Sequence, residues 1–348
     1  MEQGTDELLG WDGDSLVFCK ETVNLTRLAK AFPSQAQADS TYRRLQRFLS
    51  DNFYINYDVI ACFVVNLFAF LQSDGFYLTM DRTNWQWGKK HINILMLAIV
   101  YKGIAVPVYW ILLNKKGNSN TRERIVIVKR FIGRFGKDKI KGLLADREFI
   151  GKDWFDWLNA QGIDFVIRIK KNHLVSNRRG EMLPAQDLFR MLKRGETLVL
   201  EGRRRLFDTQ AYLSALRLED DELLIVAAGK PCCDAIGKYA HRWEIETLFG
   251  CLKGRGFHFE DTHVTDRRRI RKMLIVLVIA FCWAHRVGEW HHAHVKAIVI
   301  KKHLRPAKSL FRLGMDVIGD EILAPLKLAV CNLDKLIKFI IPQQVSLC

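Results

Sequence analysis

The sequence predicts an α/β chain: a mixed sheet with helices packed on it, a β-rich insertion, and helical parts at either end. Three textures carry this reading. From Gly75 the pattern runs strand, strand, strand, helix, strand, helix, strand, an antiparallel start followed by alternating helices. Residues 172–228 then hold strand-like runs with no helix between them. Helical periodicity fills the chain before residue 72 and resumes near Asp234.

Taken in order, residues 1–72 carry the short amphipathic pieces NLTRLAKAF and DSTYRRLQRFL and the more apolar VIACFVVNLFAFL. Arg43, Arg44 and Arg47 share one helical face. That face reads equally as a DNA-contacting surface or a solvated one. Residues 73–171 form the first part of the core. GFYLTMD is a strand ending on Asp81. HINILMLAIV and IAVPVYWILL, joined by the turn YKG, read as a buried hairpin. After the loop KKGNSN, Thr121 caps a helix whose apolar side carries Ile125, Val128, Ile132 and Phe135. The strand IKGLLAD ends at Asp146, WFDWLNAQG is a helix stopped by Gly162, and DFVIRI is a further strand.

Between 172 and 228, TLVLEG, AYLSALRL and ELLIVAAG read as strands of a small separate β-unit inserted in the core. Residues 229–295 complete the core, and 296–348 form a helical tail. The apolar run MLIVLVIAFCW, from Met273 to Trp283, is shorter than the roughly 20 residues a bilayer requires, so it is a buried helix rather than a membrane span.

Composition narrows the partner. Of 348 residues, 49% are hydrophobic and 26% charged, which excludes a disordered chain. Lys plus Arg number 54 against 38 Asp plus Glu, a net charge of +16. Such an excess favours a polyanion but does not separate DNA from RNA or an anionic membrane. The eight cysteines include no CxxC pair, and the N-terminus MEQGTDELLG is polar and acidic. Both point to reduced thiols in the cytoplasm.

The stretch KYAHRWEIETLFGCLKGRG carries Tyr239, Arg242, Glu246 and Lys253. On a continuous helix all four fall within about 60° of one another, beside the apolar face of Ile245, Leu248, Phe249 and Leu252. A carboxylate among cations and a phenol suits a hard metal ion flanked by phosphate oxygens. An ordinary Arg242–Glu246 ion pair at i,i+4 explains the same spacing. Asp81 and Asp146, each ending a core strand, shift the balance, although either could serve as a turn or helix cap. Three acids can hold two Mg²⁺ ions about 4 Å apart and run an in-line displacement at phosphorus.

With these residues in place, the chain resembles the DDE transposases of bacterial insertion sequences, in the insertion-sequence-4 family. Tyr239, Arg242, Glu246 and Lys253 match its Y-x2-R-x3-E-x6-K signature. Asp81, Thr83, Asn84 and Trp85 match its D-x-T-N-W context, and Asp146 lies in ADREF. The resemblance covers roughly residues 35 to 290. It implies a ribonuclease H-like catalytic core with a β-rich insertion between the second and third acids. Asp81, Asp146 and Glu246 are then catalytic and bind two Mg²⁺ ions, with Mn²⁺ as a substitute. Tyr239, Arg242 and Lys253 contact DNA near the cut end. The implied partners are transposon-end and target DNA, with a homodimer synapsing two ends beside the bacterial nucleoid and no membrane.

Arg267 and Arg268, in the RRRIRK run, read as DNA contacts or as a solvated turn. Trp85 packs beneath the site or stacks on DNA. Some members of the family hold a flipped base with a tryptophan from the insertion. No Trp lies between residues 172 and 238 here, leaving Phe189, Phe207 and Tyr212 as stacking candidates. Arg203–Arg205 could reach the strand backbone. His285, His291, His292 and His294 lack zinc-site spacing, and Cys251 reads as filler. The rival readings are an inert DNA-binding remnant of a transposase and a non-transposing nuclease on the same core.

Overall fold

The computed structural model describes residues 22–31, 36–50 and 55–323. The predicted tail beyond residue 323 and the first 21 residues lie outside that span. In chain order come helices α1 (Leu25–Ala31), α2 (Ala38–Ser50) and α3 (Tyr57–Leu67), then strands β1 (Phe76–Trp87), β2 (Lys90–Tyr101) and β3 (Ile104–Leu112). Helix α4 (Thr121–Phe135), β4 (Ile140–Ala145), α5 (Lys152–Gln161) and β5 (Phe165–Ile169) follow. Next are β6 (Leu174–Ser176), β7 (Met182–Pro184), the short α6 (Ala185–Leu188), β8 (Thr197–Val199), β9 (Arg204–Leu206), β10 (Thr209–Arg217) and β11 (Leu223–Ala228). The chain closes with α7 (Ala235–Ala240), α8 (Glu244–Leu252), α9 (Arg267–His294) and α10 (Leu310–Leu323).

The described residues form two compact units. One comprises Phe70–Asn84 and His91–Leu248, and the other the described residues before Phe70, Trp85–Lys90 and the described residues from Phe249 onward. Strand β1 and helix α8 pass from one to the other.

The first unit is built on a mixed sheet in the order β3-β2-β1-β4-β5-β11-β10-β9-β6-β7, with β8 on β10. Strands β1, β4 and β5 are parallel neighbours, and β2 and β3 are antiparallel. The β2–β3 turn places Lys102 and Gly103 at φ 47° and 89°, the double left-handed geometry whose twist suits a two-residue hairpin. Pro107 falls in β3, an edge strand, where a missing N–H is tolerated. From Ile92 to Ile99, β2 is buried at every position. Ile127, Val128 and Phe131 of α4 and Trp154, Phe155 and Leu158 of α5 are buried with the sheet.

Four expectations are corrected here. Strand β1 does not end on Asp81 but runs on to Trp87, because TNWQW is rich in strand-forming residues and Gly88 turns the chain at φ 55° directly into β2. Helix α4 is capped by Asn120 rather than Thr121: its side chain accepts from the Glu123 N–H, and Glu123 accepts from the Asn120 N–H in return. The predicted β-unit is not detached, since β11 pairs antiparallel with β5 from Ile225↔Ile169 to Ala228↔Val166. Its apolar LLIVAA buries more surface as the continuation of the core sheet than it could in a small separate one. Finally, the signature stretch is not one helix. A 3₁₀ turn at His241–Trp243 separates α7 from α8, and Lys253 lies just past the end of α8.

In the second unit, α9 is the central helix. Met273–Ile275, Leu277, Val278 and Ala280–Ala284 are buried, as expected for the apolar run. RRRIRK is no turn but the opening of α9, capped by Asp266, whose side chain accepts from the Arg269 N–H. Gly288 of α9 and Gly314 of α10 let the two helix backbones meet: a Cβ on Gly288 would collide with the Leu310 carbonyl, and one on Gly314 with that of Ala284. His285 is buried beside the Phe68 and Phe281 rings. The Lys272 ammonium donates to the Phe48 carbonyl at 3.3 Å, tying α9 to α2. Among the described residues, no helix is long and apolar enough to cross a membrane.

Candidate active site

Strand register brings the two aspartates together. Met80 of β1 is aligned with Ala145 of the parallel β4. Asp81 and Asp146 are the next residue on each chain, so their backbones stand about 5 Å apart. The 3₁₀ turn and α8 supply the other side of the cluster. The Arg242 guanidinium, 6% exposed, reaches Asp81 Oδ2 at 3.4 Å through Nη1 and Glu246 Oε1 at 2.7 Å through Nη2. Tyr239, 1% exposed, donates its hydroxyl to Asp146 Oδ1 at 3.1 Å. Asp81 Oδ1 accepts from the Arg82 N–H at 2.7 Å.

Asp81, Asp146, Tyr239, Arg242 and Glu246 therefore lie in one neighbourhood. The acids do not converge on a point, because Arg242 stands between Asp81 and Glu246. Among the described residues, no three His, Cys, Asp or Glu side chains are grouped as metal ligands.

Burial sets the electrostatics. It pushes the Asp81 carboxyl up to about 7; the Arg82 N–H and Arg242 pull it down, while Glu148 and Asp146 push it up further. Burial also raises the Tyr239 phenol, against the pull of Arg242 and with the push of Asp146, so it stays a proton donor. Burial opposes the charge on Arg242, but Tyr239, Glu246 and the two aspartates outweigh it and its pKa is raised. Asp81 is thus a carboxylate stripped of solvent, with the Asp146 carboxylate beside it and Arg242 as its cationic partner; the acidic groups of this neighbourhood offer oxygen ligands only. That chemistry fits a hard divalent cation.

Sequence reasoning missed the frame around these acids. Arg82 forms a fork with Glu148, Nε to Oε1 at 3.2 Å and Nη2 to Oε2 at 3.1 Å. It also donates to Asn93 Oδ1 and Asn118 Oδ1, both at 3.1 Å. The Asn93 amide donates in turn to the Lys115 and Gly117 carbonyls. Arg124, buried and lowered by that burial to about 10, donates to Ser119 and to the Glu148 and Ile150 carbonyls. The loop KKGNSN is therefore bonded to the segment after the second acid. The available signal was a pair of opposite charges flanking the acids, Arg82 beside Asp81 and Glu148 two residues after Asp146. Glu244 was missed as well: buried, it accepts from the Tyr101 N–H at 2.9 Å and pins α8 to the β2–β3 turn.

The remaining candidates are placed elsewhere. In the second unit the Lys253 ammonium lies 5.5 Å over the Trp85 ring and 3.3 Å from Glu260. Trp85 is half-buried, edge-on to Phe259. Arg267 and Arg268 sit in the first turn of α9. In the sheet unit, Phe189 is 1% exposed and cannot stack a base. Phe207 packs against Phe155 and His173, and Tyr212 lies under Arg203. Arg204 turns inward, while Arg203 and Arg205 are exposed.

The family model described as the transposase DDE domain matches residues 72–283. No curated protein matches the chain. Among solved structures, the chain is similar to that titled "Cryo-EM structure of piggyBac transposase synaptic complex with hairpin DNA", at 12% identity and a TM-score of 0.42. The alignment covers 80% of this chain and 61% of that one, so the chain spans less than two thirds of that protein's length. The matched family span takes in both aspartates, the Arg82–Glu148 frame and the two helices and intervening turn that carry Tyr239, Arg242 and Glu246, and it exceeds half of the sequence: the chain belongs to the transposase DDE domain family.

Proposed function

We propose that this protein is a metal-dependent DNA transposase of the insertion-sequence-4 type, cutting the ends of its element and joining them to target DNA. The observation that carries the reading is the register match of Met80 with Ala145, which sets Asp81 beside Asp146, with Arg242 linking Asp81 to Glu246. The strand order β3-β2-β1-β4-β5, with β1, β4 and β5 parallel, supports the ribonuclease H-like core that the resemblance implies.

Asp81, Asp146 and Glu246 would hold two Mg²⁺ ions, or Mn²⁺ in their place. Bound there, the ions supply Lewis acidity toward the phosphodiester and its departing 3′ oxygen. Tyr239 keeps a donor hydroxyl on Asp146 and so orients that carboxylate. Arg242 neutralises the acids while the site is empty of DNA. Its Nε is buried without a hydrogen-bond partner among the described residues, a donor suited to a phosphate oxygen. Lys253, Arg267 and Arg268 add backbone contacts.

In the first stage a water oxygen bonds to phosphorus and gives up its proton as the P–O3′ bond breaks, leaving a 3′ hydroxyl. In the second, that hydroxyl attacks a target phosphodiester, and the displaced target strand leaves with its own 3′ hydroxyl. The protein acts as a homodimer on two ends, in the cytoplasm at the nucleoid.

The test is cleavage and joining of end-bearing DNA with and without Mg²⁺, with Asp146→Asn as control. Wild type should nick and join in Mg²⁺, and the variant should do neither. Binding without nicking would make the chain an inert remnant; nicking without joining would make it a nuclease.

A further inference from the structure

We propose that the β1–β2 turn is a stacking platform for one unpaired nucleotide of a DNA strand, with Trp87 as its face and Lys89 and Lys90 as its phosphate contacts. The proposal rests on the transposase reading for its partner, DNA, and adds a place of contact that none of the signature residues provides.

Trp87 is 43% exposed, unusual for so large an apolar ring. It is nonetheless held in place. The His263 ring lies flat against it, centroids 3.9 Å apart and planes 10° from parallel. Two features of the chain set His263 there. It follows the 3₁₀ turn Phe259–Thr262, whose buried Phe259 packs edge-on to Trp85 at 4.9 Å. Trp85 and Trp87, two apart on a strand, share a face, so the pairs Trp85–Phe259 and Trp87–His263 form adjacent rungs. In addition, His258 and His263 bracket that turn with left-handed backbones, φ 50° and 55°. Such a conformation is uncommon for a residue with a side chain and persists where the surroundings fix it. The result is an ordered aromatic surface that remains open to solvent.

The charge around it selects the occupant. From Arg82 to Lys90 the chain holds no acidic residue, and Lys89 and Lys90 are both exposed at the turn. A flat π face flanked by two ammonium groups suits a base and its phosphates. Within a duplex each base already has neighbours on both faces, so a ring of this kind favours a base that is unpaired and unstacked. His263 also lines a polar cavity of about 330 Å³ with Tyr42, Gln46, Thr265, Asp266 and Arg269, which leaves room beside the platform for the sugar and phosphate; the Asp266 carboxylate is engaged in capping α9 through the Arg269 N–H.

The test uses the full chain in EDTA, so that binding is read without catalysis. Three oligonucleotides serve as probes: a duplex with 2-aminopurine in a short 3′ overhang, the same duplex with an abasic overhang, and a blunt duplex. Wild type should quench the 2-aminopurine. Trp87→Ala should abolish the quench and weaken binding of the overhang duplex by about tenfold, leaving the other two probes unaffected. Trp87→Phe should restore most of both. Replacing Lys89 and Lys90 together by Ala should weaken all three and lower the log–log salt slope by about two.

The proposal is overturned if Trp87→Ala, with an unchanged thermal melt, quenches as wild type does. It is equally overturned if that variant weakens all three probes alike, which would make Trp87 a packing residue. A wild type that binds none of the probes would remove the DNA partner and this site together. A wild type that binds the probes while Trp87→Ala binds and quenches identically would remove the platform alone.

Discussion

Arg82 and Glu148 face each other through two side-by-side hydrogen bonds, at 3.2 and 3.1 Å, across the gap between the strand that carries Asp81 and the segment that follows Asp146. With side chains 12% and 21% exposed, the pair is shielded enough to matter. Either Arg82→Ala or Glu148→Ala should cost about 2–3 kcal/mol in urea titrations, because each leaves a partly buried charge without its partner. The double variant should lose less than the sum of the two. A coupling energy of about zero would reduce the pair to a surface contact.

Arg242 bonds two acids with two different nitrogens. Lysine has one donor centre and cannot hold both in the same geometry. Arg242→Lys should therefore keep the fold while slowing end cleavage by about a hundredfold in single-turnover assays. Cleavage at the wild-type rate would show that the bridge has no part in setting the acids.

Asp81 has a folded-state pKa raised to about 7 from an ordinary 3.8. The folded protein therefore holds this proton more tightly than the unfolded chain. The stabilisation is complete below about 4 and is lost as pH rises through 7. In metal-free buffer, Asp81→Asn should melt a few degrees above wild type at pH 8, and the gap should close as the pH falls toward 4. A gap independent of pH would place its origin elsewhere.

Lys253 bears on affinity rather than on the fold. Lys253→Ala should weaken binding to end DNA at every sequence and lower the salt slope by about one. An unchanged slope would remove it from the phosphate contacts.

Gly288 and Gly319 make a matched pair for stability. Gly288→Ala drives a methyl into the Leu310 carbonyl, and overpacking against backbone should cost about 1–3 kcal/mol or more. Gly319, in α10, has nothing within 4 Å of an added Cβ, so Gly319→Ala should be neutral or stabilising by up to about 1 kcal/mol. Thermal melts of the two variants should move in opposite directions.

The elements legible in the sequence were those whose period and punctuation agree. The β2–β3 hairpin was plain because a run of apolar and aromatic residues breaks at YKG, and α5 because Gly162 stops it at φ 68°. Asp146 was legible as a strand end for the same reason. What escaped were relations across the chain. The pairing of β11 with β5 joins residues far apart in sequence, and LLIVAA reads alike in a small sheet or a large one. The 3₁₀ turn at His241–Trp243 has no Gly or Pro to announce it, so the hundred-degree wheel ran straight through. Even so, Arg242 and Glu246 meet at the spacing a helix allows. The frame of Arg82, Asn93, Asn118 and Arg124 was hidden because each of its polar residues alone is unremarkable on a surface; its meaning lies in shared partners.

The seam between β5 and β11 has a further outcome for anyone reshaping this protein. Cutting out the β-rich segment of residues 172–228 would strip β5 of its neighbour β11 and bare a row of amide donors and carbonyl acceptors along FVIRI. A trimmed chain would then tend to zip to its own copies along that edge. Shortening is better tolerated farther out, at the exposed turn around Arg178–Gly180 beside β6 and β7, where the sheet already meets water.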